Sequence, residues 1–141
     1  KEKKPKFGAK VEETKQAKFK SPESQIKFSW SFSILDSDGP YGWHQCLSHE
    51  KFLEILKKKG SFEKMTWSDL GAQGSHRVEV YKLSKDAQKR LQDIKLDDCE
   101  ELFSFRLTGP NRVWCLQHGE LMRVLWWDPE HQVCPSKLKN T

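Results

Sequence analysis

The chain has 141 residues, enough for one compact core, with 35% hydrophobic residues and a formal net charge of +5. No run approaches the ~20 apolar residues that cross a bilayer and no charged-then-apolar leader is present, so a cytoplasmic protein without membrane contact is expected. All the net charge sits at one end: residues 1–20 hold eight lysines and three glutamates, while the other 17 basic and 17 acidic residues cancel.

Residues 1–24, with Pro5, Pro22 and little apolar periodicity, read as a basic flexible tail. An anchor on RNA and a solubilising leader or linker both fit that composition. Residues 25–141 read as a single α+β domain. Within 26–35, Phe28, Trp30, Phe32 and Ile34 alternate with polar neighbours, which predicts a half-buried strand. Asp36 to Pro40 then forces a turn. A helix is expected from Ser48, with Phe52, Leu53, Ile55 and Leu56 buried, Lys57 to Lys59 in its last turn and Gly60 as its stop.

Thr66 and Asp69 have capping-box spacing, and Met65 and Leu70 that of a hydrophobic staple, so a short helix should start there. Residues 77–83 suggest a strand. Ser84 should cap a helix to Ile94 that buries Ala87, Leu91 and Ile94 and turns Lys85, Lys89 and Gln92 outward.

The last third carries the sharpest pattern. In 102–107, Phe103, Phe105 and Leu107 alternate with Ser104 and Arg106, so the aromatic side should join the core. A loop of odd length keeps it there and sets Arg106 beside Arg112, which avoids burying Arg106 unpaired. His118 and Gly119 are turn residues between β-rich runs at 112–117 and 120–127. A two-residue loop there would pair Cys115 with Met122, Trp114 with Arg123, Val113 with Val124 and Arg112 with Leu125. One face would then carry Val113, Cys115, Met122, Val124 and Trp126 toward the core. The other would carry Arg112, Trp114, Arg123, Leu125 and Trp127, with His131 beyond. The whole reads as an α+β fold: an antiparallel or mixed sheet of about four to five strands with two or three helices.

Arginines pair with phosphates, indoles stack on bases and an imidazole changes charge near neutral pH, so that second face suggests nucleic acid. The ordinary alternative is that the arginines meet surface carboxylates and Trp114 and Trp127 lie beneath the N-terminal half.

The helix SKDAQKRLQDI at 84–94, RLTG at 106–109, NRVW at 111–114 and a strand closing on HQV at 131–133 together resemble the RelE/ParE toxin superfamily. The ending LWWDPEHQVCP also resembles that of a group of small uncharacterised bacterial proteins. The resemblance covers about residues 84–135. It implies a RelE-like C-terminal half and an endoribonuclease that needs no metal or cofactor. In that chemistry a 2′-OH attacks the adjacent phosphate, usually in the ribosome. Arg106 and Arg112 would hold the phosphate and His131 would act as acid or base. Trp114, Arg123, Trp127, Lys85 and Lys89 are the further nucleic-acid contacts, although the two lysines also suit a plain solvated face. RNA or the ribosome is the implied partner, with an antitoxin-like protein as a second.

His44, Cys46 and His49 offer three zinc-ligand types within six residues, and His131 with Cys134 two more, but no C-x-x-C pair accompanies them. No metal is therefore expected. No phosphate-cradling glycine loop or nucleophile elbow occurs. Three functions stand: a RelE-like ribonuclease, a non-catalytic nucleic-acid-binding protein, and an interaction module that docks a partner on a Trp-rich sheet face.

Overall fold

A computed structural model describes residues 27–45 and 47–135. The basic tail expected at 1–24, and Cys46, lie outside the described residues. Five strands form one mixed sheet in the order β1-β5-β4-β3-β2. These are β1 (Ser29–Ser31), β2 (His76–Glu79), β3 (Glu101–Arg106), β4 (Arg112–His118) and β5 (Leu121–Asp128). β1 runs parallel to β5, and every other pairing is antiparallel. Among the described residues three α-helices, α1 (His49–Phe62), α2 (Trp67–Gln73) and α3 (Lys85–Asp93), complete the α+β fold.

Helices cover both faces of the sheet. Ile55 and Phe62 of α1 and Leu70 of α2 pack with Phe103, Phe105, Val113, Cys115, Met122, Val124 and Trp127. Leu83, Ala87 and Leu91, at and within α3, pack with Leu102, Trp114, Leu125, Trp126 and Val133. The face expected to be open is therefore a second core. Trp114 and Trp127 are both almost fully buried, on opposite sides of the sheet.

Two features overturn the expected register. The hairpin turn falls at Gly119 and Glu120, one residue later, and His118 pairs with Leu121. Gly119 takes a φ of 60°, at the first turn position, where a type II′ hairpin calls for glycine. A β-bulge then breaks the β4–β5 ladder: Cys115 pairs with Val124 but Trp114 with Trp126, leaving Leu125 as the extra residue. One extra residue reverses every side chain beyond it. Trp126 thus joins Trp114 under α3, and Trp127 joins Val113 and Cys115 under α1 and α2. Arg106, Arg112, Trp114 and Arg123 do share a face.

β1 has three residues, Ser29–Ser31, against the expected 26–35. Leu125 O accepts from Asp36 N, so the chain after Ser31 leaves the ladder and turns across the other face, where Ile34 packs. Ser48 caps α1 as expected, accepting from Lys51 N, but α1 runs through Gly60 to Phe62. Phe62 is fully buried and stacks on Phe105 at 4.8 Å. Burying an aromatic ring outweighs the ~1 kcal/mol helix penalty of one glycine. Ile55, Lys59 and Phe62 form the buried stripe, while Phe52, Leu53 and Leu56, expected inside, are exposed.

The capping box of α2 forms as its spacing requires, with Thr66 and Asp69 bonded reciprocally. Ser84 caps α3 by accepting from Ala87 N. The strand expected over 77–83 ends at Glu79, and a 3-10 turn at Val80–Lys82 redirects the chain so that Leu83 enters the α3 core.

Candidate functional site

At the end of the sheet where β3 finishes and β4 begins, Arg106 stands directly opposite Arg112. The odd loop of residues 107–111 produces this pairing, closed by Leu107 N to Asn111 O and Asn111 N to Thr108 O, with Gly109 at a φ of 56°. On its other side Arg112 pairs with Asp128, the last residue of β5. Like charges opposed across a ladder repel. Among the described residues no carboxylate lies at ion-pair distance from either arginine.

Each member is held from the backbone outward. The C-terminal end of α2 grips Arg106: Gln73 Nε2 donates to its carbonyl at 3.2 Å, and its N–H donates to Ser75 Oγ at 2.9 Å. Between them Gly74 has a φ of 104°, and a Cβ there would come within 2.8 Å of Arg106 Cδ. The side chain of Arg106 therefore runs over a bare backbone. Arg112 turns Nη1 back onto the loop carbonyls of Gly109, at 2.8 Å, and Asn111, at 3.0 Å.

Asp128 organises the third member. Its buried carboxylate accepts from Trp114 Nε1 at 3.1 Å, Gln132 N at 2.8 Å and Val133 N at 3.0 Å. Asn111 Nδ2 donates to Pro129 O at 3.0 Å, which ties the same turn to the β3–β4 loop. The chain between these anchors closes so tightly that His131 adopts a φ of 59°. Histidine is one of the few residues besides glycine that enter this left-handed region at all readily.

The charges around His131 favour its neutral form. Partial burial is the main cause that lowers its pKa below the ordinary histidine value; Arg112 and, less strongly, Arg106 act in the same direction, while Asp128 opposes them. Burial also lowers the pKa of Arg112, with Arg106 adding to the effect. At neutral pH the site holds two guanidinium groups and an uncharged imidazole, which together can bind an anion and accept a proton.

Of the residues singled out by sequence, Arg106, Arg112 and His131 come together. The others do not. Trp114 and Trp127 are at most 2% exposed and offer no ring to a base. Trp114 serves instead as a donor to Asp128. The Trp-rich sheet surface imagined for a docking partner lies under helices. Arg123 shares the face but pairs with Leu116, four residues along β4 from Arg112, roughly 13 Å at strand spacing. Lys85 and Lys89 are exposed on α3, and Lys89 pairs with Asp93 at 3.3 Å.

Asp128, Asn111 and Gly74 were not singled out from the sequence. The one available signal was Gly74 itself, a glycine closing a short helix. His44 and His49 are exposed, and no three His, Cys, Asp or Glu among the described residues gather as metal ligands. Cys115 is fully buried and its thiol is pushed up to about 12 by that burial, which makes it inert. No helix among the described residues is long and apolar enough to cross a membrane. No protein-family model, curated protein or solved structure matches the chain.

Proposed function

We propose that this chain is a cytoplasmic, RelE-like protein that acts on RNA and cleaves it without a metal or cofactor. The observation that carries the reading is the opposition of Arg106 and Arg112 with His131 beside them, its imidazole biased to the neutral state. Neutral His131 accepts the proton of a ribose 2′-OH as that oxygen attacks the adjacent phosphorus. The O2′–P bond forms and the P–O5′ bond breaks, giving a 2′,3′-cyclic phosphate and a 5′-oxygen that takes a proton from water. Arg106 and Arg112 compensate the negative charge that builds on the phosphoryl oxygens.

Cleavage of free and ribosome-bound RNA in EDTA, scored for 2′,3′-cyclic ends, tests it. His131→Ala should lower the rate by ~10²–10⁴-fold, and Arg112→Ala by a comparable order. Activity that vanishes with chelator, or that survives both substitutions, overturns the assignment.

RNA binding without cleavage is the second reading. It is favoured by the commitment of Arg112 Nη1 to two backbone carbonyls, which leaves fewer donors to follow a changing phosphate. Binding that weakens steeply with salt, with no cyclic product, selects it. An antitoxin-like partner belongs to the first reading only.

A further inference from the structure

Away from the arginines, α1, the segment after β1 and Val124 of β5 enclose a cavity of about 270 Å³. Its walls are apolar, with Phe32, Trp43, Leu47, Phe52 and Leu56 among them, and the one charged residue lining it among the described residues is Lys59. A helix whose apolar arc matched the sheet would bury Phe52 and Leu56, which neighbour the Ile55–Lys59 ridge at 100° per residue. Here the arc is wider than the surface it covers. Both side chains are left 46% exposed at the cavity rim.

Lys59 is only 7% exposed, and its ammonium faces rings, 4.7 Å from the Trp30 centroid and 4.0 Å from that of Phe32. Glu63, the C-cap of α1, accepts from Trp30 Nε1 at 2.7 Å and makes no ion pair with Lys59. No acceptor among the described residues bonds Lys59 Nζ. Trp43, another wall, has a buried indole N–H without an acceptor. A buried donor such as this indole N–H is costly unless something meets it. Burial is the chief cause that lowers the pKa of Lys59, and Cys115 and Glu63 oppose it only in part.

A single ammonium in an otherwise apolar cavity defines the complementary ligand: one anionic acceptor on a compact apolar body. We propose that this cavity is a binding site for a small apolar carboxylate, aryl or branched alkyl, whose carboxylate meets the Lys59 ammonium and whose body lies against Phe52, Leu56 and Trp43. At about 30 Å³ per water-sized group the space suits on the order of ten non-hydrogen atoms. A longer chain would leave its end in solvent. The site is separate from the arginine pair and stands whether or not the chain cleaves RNA.

Calorimetric titration of the full chain with phenylacetate, and with neutral phenylacetamide of matching shape, tests it. Phenylacetate should bind saturably and at least about tenfold more tightly than the amide. Lys59→Met keeps the length of the stem and should abolish that preference. Leu56→Glu sets a carboxylate at the exposed rim and should repel phenylacetate without disturbing the core. Absence of saturable phenylacetate binding, equal affinity for acid and amide, or an unchanged preference in folded Lys59→Met overturns the proposal. If Lys59→Met does not fold, wild-type phenylacetate affinity in Leu56→Glu overturns it.

Discussion

Asp36 and Arg90, 54 residues apart, form a two-pronged ion pair at 2.8 Å on each prong that joins the segment after β1 to α3. The same carboxylate accepts from Trp126 Nε1 at 2.9 Å and from the backbone N–H groups of Asp38 and Gly39. It is the tie between the loop, the helix and the bulged strand. Fully paired in this way, a buried carboxylate stabilises through its charged form.

Acid should therefore loosen the fold through Asp36. Burial is the largest single influence and raises its pKa, but the bonds from Arg90, Trp126 and Asp38 together outweigh it and hold the carboxyl at about 2, against 3.8. The folded value lies below the unfolded one, so the contribution is complete above about pH 4 and is lost as pH falls through 2. That difference is worth roughly 2 kcal/mol. Asp36→Asn, which also leaves Arg90 without its partner, should cost on the order of 3 kcal/mol at neutral pH. Chemical denaturation at pH 7 and pH 2.5 checks both: the wild-type chain should lose most of this increment between the two, and the Asn variant should lack it.

Gly60→Ala should make the protein more stable. Gly60 lies inside α1, and a Cβ built there meets nothing within 4 Å. Removing the conformational freedom of a helical glycine gains about 0.5–1 kcal/mol. A thermal melt that falls instead of rising would show that Gly60 is needed for a bend which lets Phe62 reach Phe105.

Local signals were legible where the chain speaks to its near neighbours. Ser48, Thr66 with Asp69, and Ser84 each cap the helix that their spacing indicates. The pairing of Arg106 with Arg112 followed from one electrostatic argument, that an unpaired arginine stays out of a core. What failed was non-local. The bulge at Leu125 is stabilised by Asp36 N, some ninety positions away in the chain, and no period of two can announce it. The burial of Trp114 and Trp127 followed, because a strand rich in tryptophan on alternate sides suits a sheet covered on both faces as well as one left open. Phe52, Leu53 and Leu56 misled for the converse reason: an apolar arc marks a helix surface, and only packing decides how much of it the sheet covers. Asp128 escaped notice because its role exists only once Trp114 lies opposite Trp126 and the turn after β5 closes.

Gly74→Ala should damage the placement of Arg106 as well as stability. A φ of 104° is strained for any residue with a Cβ, and that atom would press on Arg106 Cδ. A cost of about 1–2 kcal/mol is expected, with RNA affinity reduced beyond what Asn at the same position would cause, since asparagine tolerates the backbone better. Equal affinities for Ala, Asn and wild type would mean that Arg106 does not contact the ligand.

The titration of His131 gives a direct reading of the site that requires no substrate. Its imidazole should have a midpoint below the ordinary ~6.5, so it is neutral at pH 7 and charges only as pH falls. Because burial and then Arg112 are the chief causes, Arg112→Ala should raise the midpoint, Arg112→Lys should restore much of the depression, and Arg106→Ala should raise it less. Asp128 acts in the opposite sense, so loss of its charge should lower the midpoint further. NMR of the histidine ring protons, with His131 assigned by comparison with His131→Gln, follows each shift. Should the imidazole act as the base, the cleavage rate must fall with acid along the same curve, and the limb must move upward in Arg112→Ala. An unmoved midpoint in that variant would show that guanidinium and imidazole do not face one another, and the proposed proton transfer would lose its basis.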